Sequence, residues 1–385
     1  ARTPNGCSAT RWPGPAPTKS PATGTTVRCG RSCRGCVNPA RSEDAYEQHQ
    51  LVLELAPYHL TVSTLDGQLT RFLPFAFAGG NLDEAMIKRW AERELRNKKI
   101  TNANTRFDLH MARAWGIDLE EQGCTFSDIQ HTAALLNDHR KRFKLDLLAE
   151  DYLPGQLIVP RLDETRYHEY HASEVTAREH FTVHLVGKLR EVMYPELDEQ
   201  ELRAVQDLED RVIPAVVEME ENGALINVEL LEKYSVECNS RHDTLLWEVA
   251  EEAGFAFDHT PKSWQRLFEY LHLPPTDSYA EGVISAIDHP LVKKAHHAAQ
   301  LASLNSKVFK AYKETIGSGG ILRFDLNQLR NEDKGTVTGR FSAGFIQQVP
   351  NYDNHSAVFG EDLFPRRLYI PATGCQYLAA DAARD

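Results

Sequence analysis

No run of apolar residues in this chain is long enough to span a membrane, so a helical membrane anchor is not expected. A general excess of basic charge is also missing. The formal charge is −12, which argues against adhesion to nucleic acid by bulk charge and leaves only local basic patches for that role. Residues 1–42 contain no Asp or Glu, and no Leu, Ile, Phe, Tyr or Met, but hold seven basic residues and six prolines. With +7 there, residues 43–385 carry −19. Such a segment cannot bury enough apolar surface to offset its ordering entropy. Three readings of it stay open: an organelle transit signal, a small metal site built on Cys29, Cys33 and Cys36, and a wrong start that persists to about Ser42. The three cysteines have no cleanly paired fourth ligand, which a zinc site would want, so disorder or a wrong start is the expectation. Cys124, Cys238 and Cys375 are far apart and odd in number, as expected of reduced thiols inside a cell.

What is present suffices for two or three domains: 385 residues, 42% of them hydrophobic. Leu51–Leu53, then Leu60, Val62 and Thr64 alternating with polar neighbours, then Leu69–Leu73, predict a β-hairpin turned at Asp66-Gly67. A helix is predicted from Leu82 to about Asn97, and helical text resumes from Asn104 to Gly116. Strands followed by helices fit an α/β domain of about 150 residues. Further on, Leu202, Val205, Leu208, Val212, Val216 and Met219 predict an amphipathic helix over 197–222, kinked at Pro214 and ended by Asn222-Gly223. A second helix runs from Leu231 to a stop at Gly254. A third is opened by Thr260-Pro261, and a fourth carries Leu301, Leu304, Val308 and Tyr312 up to Gly317. These stripes are core faces, and their periodicity reveals no function.

Chemistry enters with two constellations. In the first, Asn104-x-x-Phe107-Asp108 is followed by Tyr170-x-x-x-Glu174. Together these resemble the second and third motifs of a 3′–5′ proofreading exonuclease domain with a ribonuclease H-like fold. The resemblance implies acids, here Asp108 and Glu174, that hold two divalent metals about 4 Å apart, Mg2+ or Mn2+ by the hardness of the ligands. It makes Tyr170 the residue that positions the attacking water and Asn104 a DNA contact. Two departures matter. Glu174 stands where the family has Asp, and a carboxylate misplaced by about 1 Å can cost roughly 10²-fold. The family's D-x-E pair is missing, since no two of Glu43, Asp44, Glu47 and Glu54 have that spacing. Weak or absent exonuclease activity is the expectation.

In the second, Thr338-Gly339-Arg340-Phe341-Ser342 is followed by Pro350-Asn351 and Asn354, then Arg366-x-Leu368-Tyr369-Ile370-Pro371, then Gly374 and Leu378-Ala379-Ala380-Asp381-Ala382-Ala383. In this order they resemble the opening of the palm of a family A DNA polymerase. Arg323–Gln328, Met219-Glu220-x-x-Gly223 and Pro261-Lys262 extend the likeness, which covers residues 69–385 in all. The resemblance implies that Asp381 ligates the Mg2+ ions joining primer end and nucleotide, that Arg340 meets backbone phosphates, and that Thr338, Ser342, Asn351 and Asn354 line the DNA path.

The fold expected is α/β plus α: residues 1–42 unassigned, a ribonuclease H-like exonuclease domain over 43–195, a helical thumb over 196–320, and the start of an α+β palm over 321–385. The implied partners are DNA primer-template, single-stranded DNA and dNTPs, with no membrane, for a monomer in a bacterial or phage-infected cytoplasm or in an organelle. The family's fingers helix and second palm acid do not occur before Asp385, so no nucleotide incorporation is expected of this chain. The alternatives are a stand-alone 3′–5′ exonuclease and a non-catalytic DNA-binding relic.

Overall fold

Alternation of side chains builds a sheet at the start of the described chain. The computed structural model describes residues 50–155, 162–329, 340–347, 349 and 358–377. Strands β1 (Gln50–Ala56) and β2 (His59–Thr64) are antiparallel and joined by the two residues Pro57-Tyr58, so that Ala56 pairs with His59 and Glu54 with Thr61. Strand β3 (Thr70–Pro74) returns antiparallel to β2. The expected Asp-Gly turn is there: Gly67 has φ of 71°, its N–H donates to the Thr64 carbonyl at 2.9 Å, and Asp66 accepts from the Gln68 N–H at 3.0 Å.

Two further strands were not legible as such. Strand β4 (Lys99–Asn102) lies parallel to β1, and β5 (Thr125–Asp128) parallel to β4, giving a five-stranded mixed sheet in the order β3-β2-β1-β4-β5. Helices cover both faces. Leu53, Leu55, Leu60 and Val62 point into one core with α1 (Glu84–Glu94) and α2 (Thr105–Ala114). Val52 points into the other, with α3 (Ile129–Leu136), α4 (Leu145–Tyr152) and α5 (Ala172–Glu199). Because successive strand residues face opposite ways, Glu54 shares the face of Val52, and His59, Thr61 and Ser63 lie opposite Leu60 and Val62. A column of polar side chains thus runs under α5. This helix crosses the hairpin at Gly187, where a Cβ would stand 2.7 Å from the Leu65 carbonyl oxygen.

The predicted helix over 197–222 needs correction. Residues 197–199 end α5, the chain turns at Glu201 with φ of 58°, and α6 runs from Arg203 to Asn222. Val205, Leu208 and Met219 of the predicted stripe are exposed, while Val216 and Val217 are buried. Gly223 ends α6 as expected, with φ of 60° and no room for a Cβ beside the Leu322 carbonyl, 2.6 Å away. It leads into a two-stranded ribbon of β6 (Ala224–Leu225) and β7 (Ile321–Leu322). Helix α7 (Val228–Ala253) stops at Gly254 in the left-handed conformation, and Thr260 caps α8 (Pro261–Tyr270) by accepting from the Ser263 N–H. After the short α9 (Glu281–Ile284), α10 (Pro290–Leu304) passes through a π-helical turn at Asn305–Lys310 into α11 (Ala311–Thr315). Its stripe, Leu301, Leu304, Val308 and Tyr312, packs on Leu231, Tyr234 and Cys238 of α7. A last turn, α12 (Gly344–Gln347), follows later.

The chain divides into two units, residues 49–370 and residues 1–48 with 371–385. Of the second, residues 371–377 are described; there the Cys375 N–H donates to the Ala372 carbonyl at 2.9 Å. Among the described residues no helix is long and apolar enough to cross a membrane.

Candidate active site

Four ionisable side chains meet where β1 ends and β2 begins. Glu54 comes from β1, His59 opens β2, Asp108 lies in the first turn of α2, and Glu179 is on the second turn of α5. They adjoin a cavity of about 800 Å3 that Glu54, Tyr58, His59, Asp108, Arg178 and Thr182 help to line.

Asp108 is placed by its helix start. Asn104 takes the left-handed conformation, φ 71°, which Asn tolerates better than most residues. The N–H groups of Asn104 and Thr105 donate to the two oxygens of Asp128, at 3.2 and 2.6 Å, so the end of β5 anchors the start of α2. Asp108 then reaches back to β1, where the Leu55 N–H donates to its Oδ1 at 2.8 Å. Burial pushes the Asp108 carboxyl up to about 7, against the lowering effect of its bonds from Leu55 and Asn102.

Glu179 is fully buried. Its Oε1 accepts from the Tyr167 hydroxyl at 2.7 Å and from Arg178 Nη1 at 2.9 Å, and the guanidinium lies over the Tyr167 ring, 5.6 Å from its centroid. His59 Nε2 stands 3.2 Å from Glu179 Oε2, yet the approach lacks the alignment of a hydrogen bond, and both ring nitrogens of His59 are without such a partner. The His59 ring sits among Phe72, Phe77 and Tyr167. Glu54 is half-buried as a residue, but its Oε2 is sealed from water and unpaired. Burial, then the charges of Glu179 and Asp108, hold the Glu54 carboxyl well above the usual range. One ligand atom from each of Glu54, His59 and Glu179 lies within 4.8 Å of the others.

Of the residues singled out in the sequence, Asp108 is in this cluster and Tyr170 and Glu174 are not. Glu174 is exposed in the first turn of α5 and accepts from the His171 N–H at 2.7 Å, closing a capping box on its own helix. Tyr170 is half-buried and packs edge-on against Tyr167, with ring centroids 6.1 Å apart. Asn104 is exposed at the start of α2. The acid that α5 turns inward is Glu179, and a signal for it exists in the sequence. Val175, Glu179 and Val183 recur every four residues, with Val186 and Gly187 continuing the same buried face. Glu54 has no acidic partner two residues away, but it sits in the alternation of β1, and that places it here.

Near the other constellation, Ser342 pairs with Asn327 through two backbone bonds of 2.7 and 3.0 Å. Arg340 is exposed. Leu368 and Ile370 bond to the backbone of Asn227 and Leu225, and the Tyr369 hydroxyl bonds to that of Tyr312. Thr338, Asn351, Asn354 and Asp381 lie outside the described residues.

No family model matches the chain. Two curated proteins named DNA polymerase DpoZ do: one from Acinetobacter phage SH-Ab 15497, 25% identical over 327 residues, and one from Salmonella phage PMBT28, 27% identical over 333. Each alignment covers 74% of this chain and 51% of the relative, so the chain spans about half the length of the curated relatives it matches. Among solved structures, the POL domain of Pol1 from M. smegmatis, in complex with DNA primer-template and dNTP, matches with a TM-score of 0.61 at 17% identity, over 84% of this chain and 57% of that one. At that identity the match speaks for the fold alone. In sequence the chain is similar to phage DNA polymerases and in fold to a bacterial Pol1 polymerase domain.

Proposed function

We propose that this chain serves template-directed DNA synthesis, as part of a family A DNA polymerase with a 3′–5′ exonuclease-like domain of ribonuclease H-like fold. The observation that carries the reading is the sequence similarity to phage DNA polymerases over 74% of the chain, in agreement with the motif order from Thr338 to Asp381. Residues 43–195 would be the exonuclease-like domain, 196–320 the thumb and 321–385 the start of the palm. A sheet with two antiparallel strands at one side, two parallel strands at the other and helices on both faces supports the first assignment. The partners are primer-template and single-stranded DNA, with dNTPs as substrates.

At the exonuclease-like site the residues suit a cation, with sealed oxygens on Glu54 and Glu179 that lack an aligned hydrogen bond. A bound divalent metal there would activate water and stabilise the leaving 3′ oxygen. The chain's own part is positional. Leu55 N–H fixes Asp108, while Tyr167 and Arg178 fix Glu179. Glu174, committed to its helix cap, contributes nothing at this place. In the palm, Asp381 would hold Mg2+ and Arg340 would donate to primer phosphates, a contact that carries no sequence information.

Fluorescence anisotropy with a labelled primer-template tests the reading. Binding that weakens with salt and with Arg340→Ala is expected, and a chain that binds no better than an unrelated acidic protein would refute it.

A further inference from the structure

The polar column beneath α5 holds more than the exonuclease likeness requires. That likeness points to oxygen ligands only, Asp108 and Glu174. The structure instead gathers two carboxylates and an imidazole, and three features set them apart from a satisfied polar core. The first is a histidine that is 1% exposed with no hydrogen bond on either ring nitrogen. Buried polar groups are paired as a rule, and an orphan is costly. The second is that the orphaned atoms converge. Glu54 Oε2, Glu179 Oε2 and His59 Nε2 are all sealed and lack an aligned hydrogen bond, Nε2 and Glu179 Oε2 stand 3.2 Å apart, and one ligand atom from each residue lies within 4.8 Å of the others. The third is charge. Three carboxylates, those of Glu54, Asp108 and Glu179, face one guanidinium, that of Arg178, which leaves two negative charges when all are ionised.

We propose that Glu54, His59 and Glu179 form a divalent-cation site whose imidazole ligand selects a transition metal such as Mn2+ over Mg2+. Arg178 and Tyr167 occupy Glu179 Oε1 and so direct Oε2 toward the ion. Bonds of about 2.1 Å space the ligands of a six-coordinate ion by roughly 3 Å when cis and 4.2 Å when trans, so donors within 4.8 Å of one another need to draw in by up to about 1.8 Å. Mg2+ keeps to oxygen and sheds its waters reluctantly, whereas imidazole suits the later divalent metals. Asp108, held by Leu55, lies beside Glu54 and can carry a water of the ion. The aromatic rings around His59 confine its orientation by packing.

The test uses the full chain, freed of metal and titrated with Mn2+, without DNA, so that it succeeds or fails independently of the nuclease reading. Electron paramagnetic resonance should count one tightly bound Mn2+ per chain, not displaced by a tenfold excess of Mg2+, and spin-echo modulation should show a ligating 14N. His59→Gln should remove the 14N signal and weaken binding more than about tenfold, since even outer-shell changes cost that much. Glu54→Gln should weaken binding similarly, and it carries the test if His59→Gln does not fold. Absence of bound Mn2+, displacement by Mg2+ at equal concentration, or a 14N signal that survives in folded His59→Gln would each overturn the proposal. The first of these results would leave a carboxylate pair that shares a proton.

Discussion

Replacing Asp108 by Asn should stabilise the folded chain at neutral and alkaline pH. Asp108 is 5% exposed and its carboxyl is raised to about 7 from 3.8. The unfolded chain loses this proton near pH 4, while the folded chain keeps it until about pH 7. Between those values the folded state binds more protons, so stability falls as pH rises. Each pH unit between them is worth about 1.36 kcal/mol, so the penalty grows to an upper limit of about 4 kcal/mol, and to about 2 kcal/mol if water enters the cavity. Asparagine has no such proton to lose and retains an oxygen for the Leu55 N–H. Urea unfolding followed by circular dichroism, with metal chelated, reads the difference between the two proteins from pH 4 to 8.5. It should be small near pH 4, grow by roughly 1.4 kcal/mol per pH unit at most, and level off above about pH 7. A difference that is flat with pH, or one that favours Asp108 at pH 8, would refute the electrostatics given for this site.

Other substitutions probe the scaffold. Gly187→Ala drives a methyl into the Leu65 carbonyl at 2.7 Å and should cost about 1–3 kcal/mol in the same assay, despite alanine's better helix propensity; a neutral result would show that α5 can move off the hairpin. Glu220→Ala removes the acceptor for Arg106, His110 and the buried Leu326 N–H and should destabilise by about 1–3 kcal/mol, chiefly through the amide left unpaired, since Arg106 keeps the Leu326 carbonyl. Arg340→Ala should lower primer-template affinity evenly across sequences and reduce the salt slope by about 1, as loss of one phosphate contact does.

Local signals in the sequence reported local structure well. Asp66-Gly67, Asn222-Gly223, Gly254 and Thr260-Pro261 each act through one or two backbone conformations, and each lies where it is expected. Strands β4 and β5 are four residues long and almost wholly buried, so they carry no alternation to read. The break between α5 and α6 is hidden because Leu197 and Leu202 continue the apolar spacing across it; the left-handed turn at Glu201 has no glycine to mark it. At the site, Asp108 is legible from its motif. Glu179 is marked only by its four-residue spacing from Val175 and Val183, and a charged residue on the inward face of a helix reads as an interruption of that stripe. His59 is concealed as the polar half of an alternation whose apolar half, Leu60 and Val62, carries the strand signal. Motif spacing points to Glu174, five residues and about 140° of helix away from the acid that turns inward.

Incorporation of dNTPs on a primed template, by the polypeptide expressed from the complete open reading frame, is the assay that bears on the proposed role in template-directed DNA synthesis. Mg2+-dependent extension that follows the template and disappears in Asp381→Ala is expected. Extension unaffected by Asp381→Ala, or none by the intact protein, would contradict it.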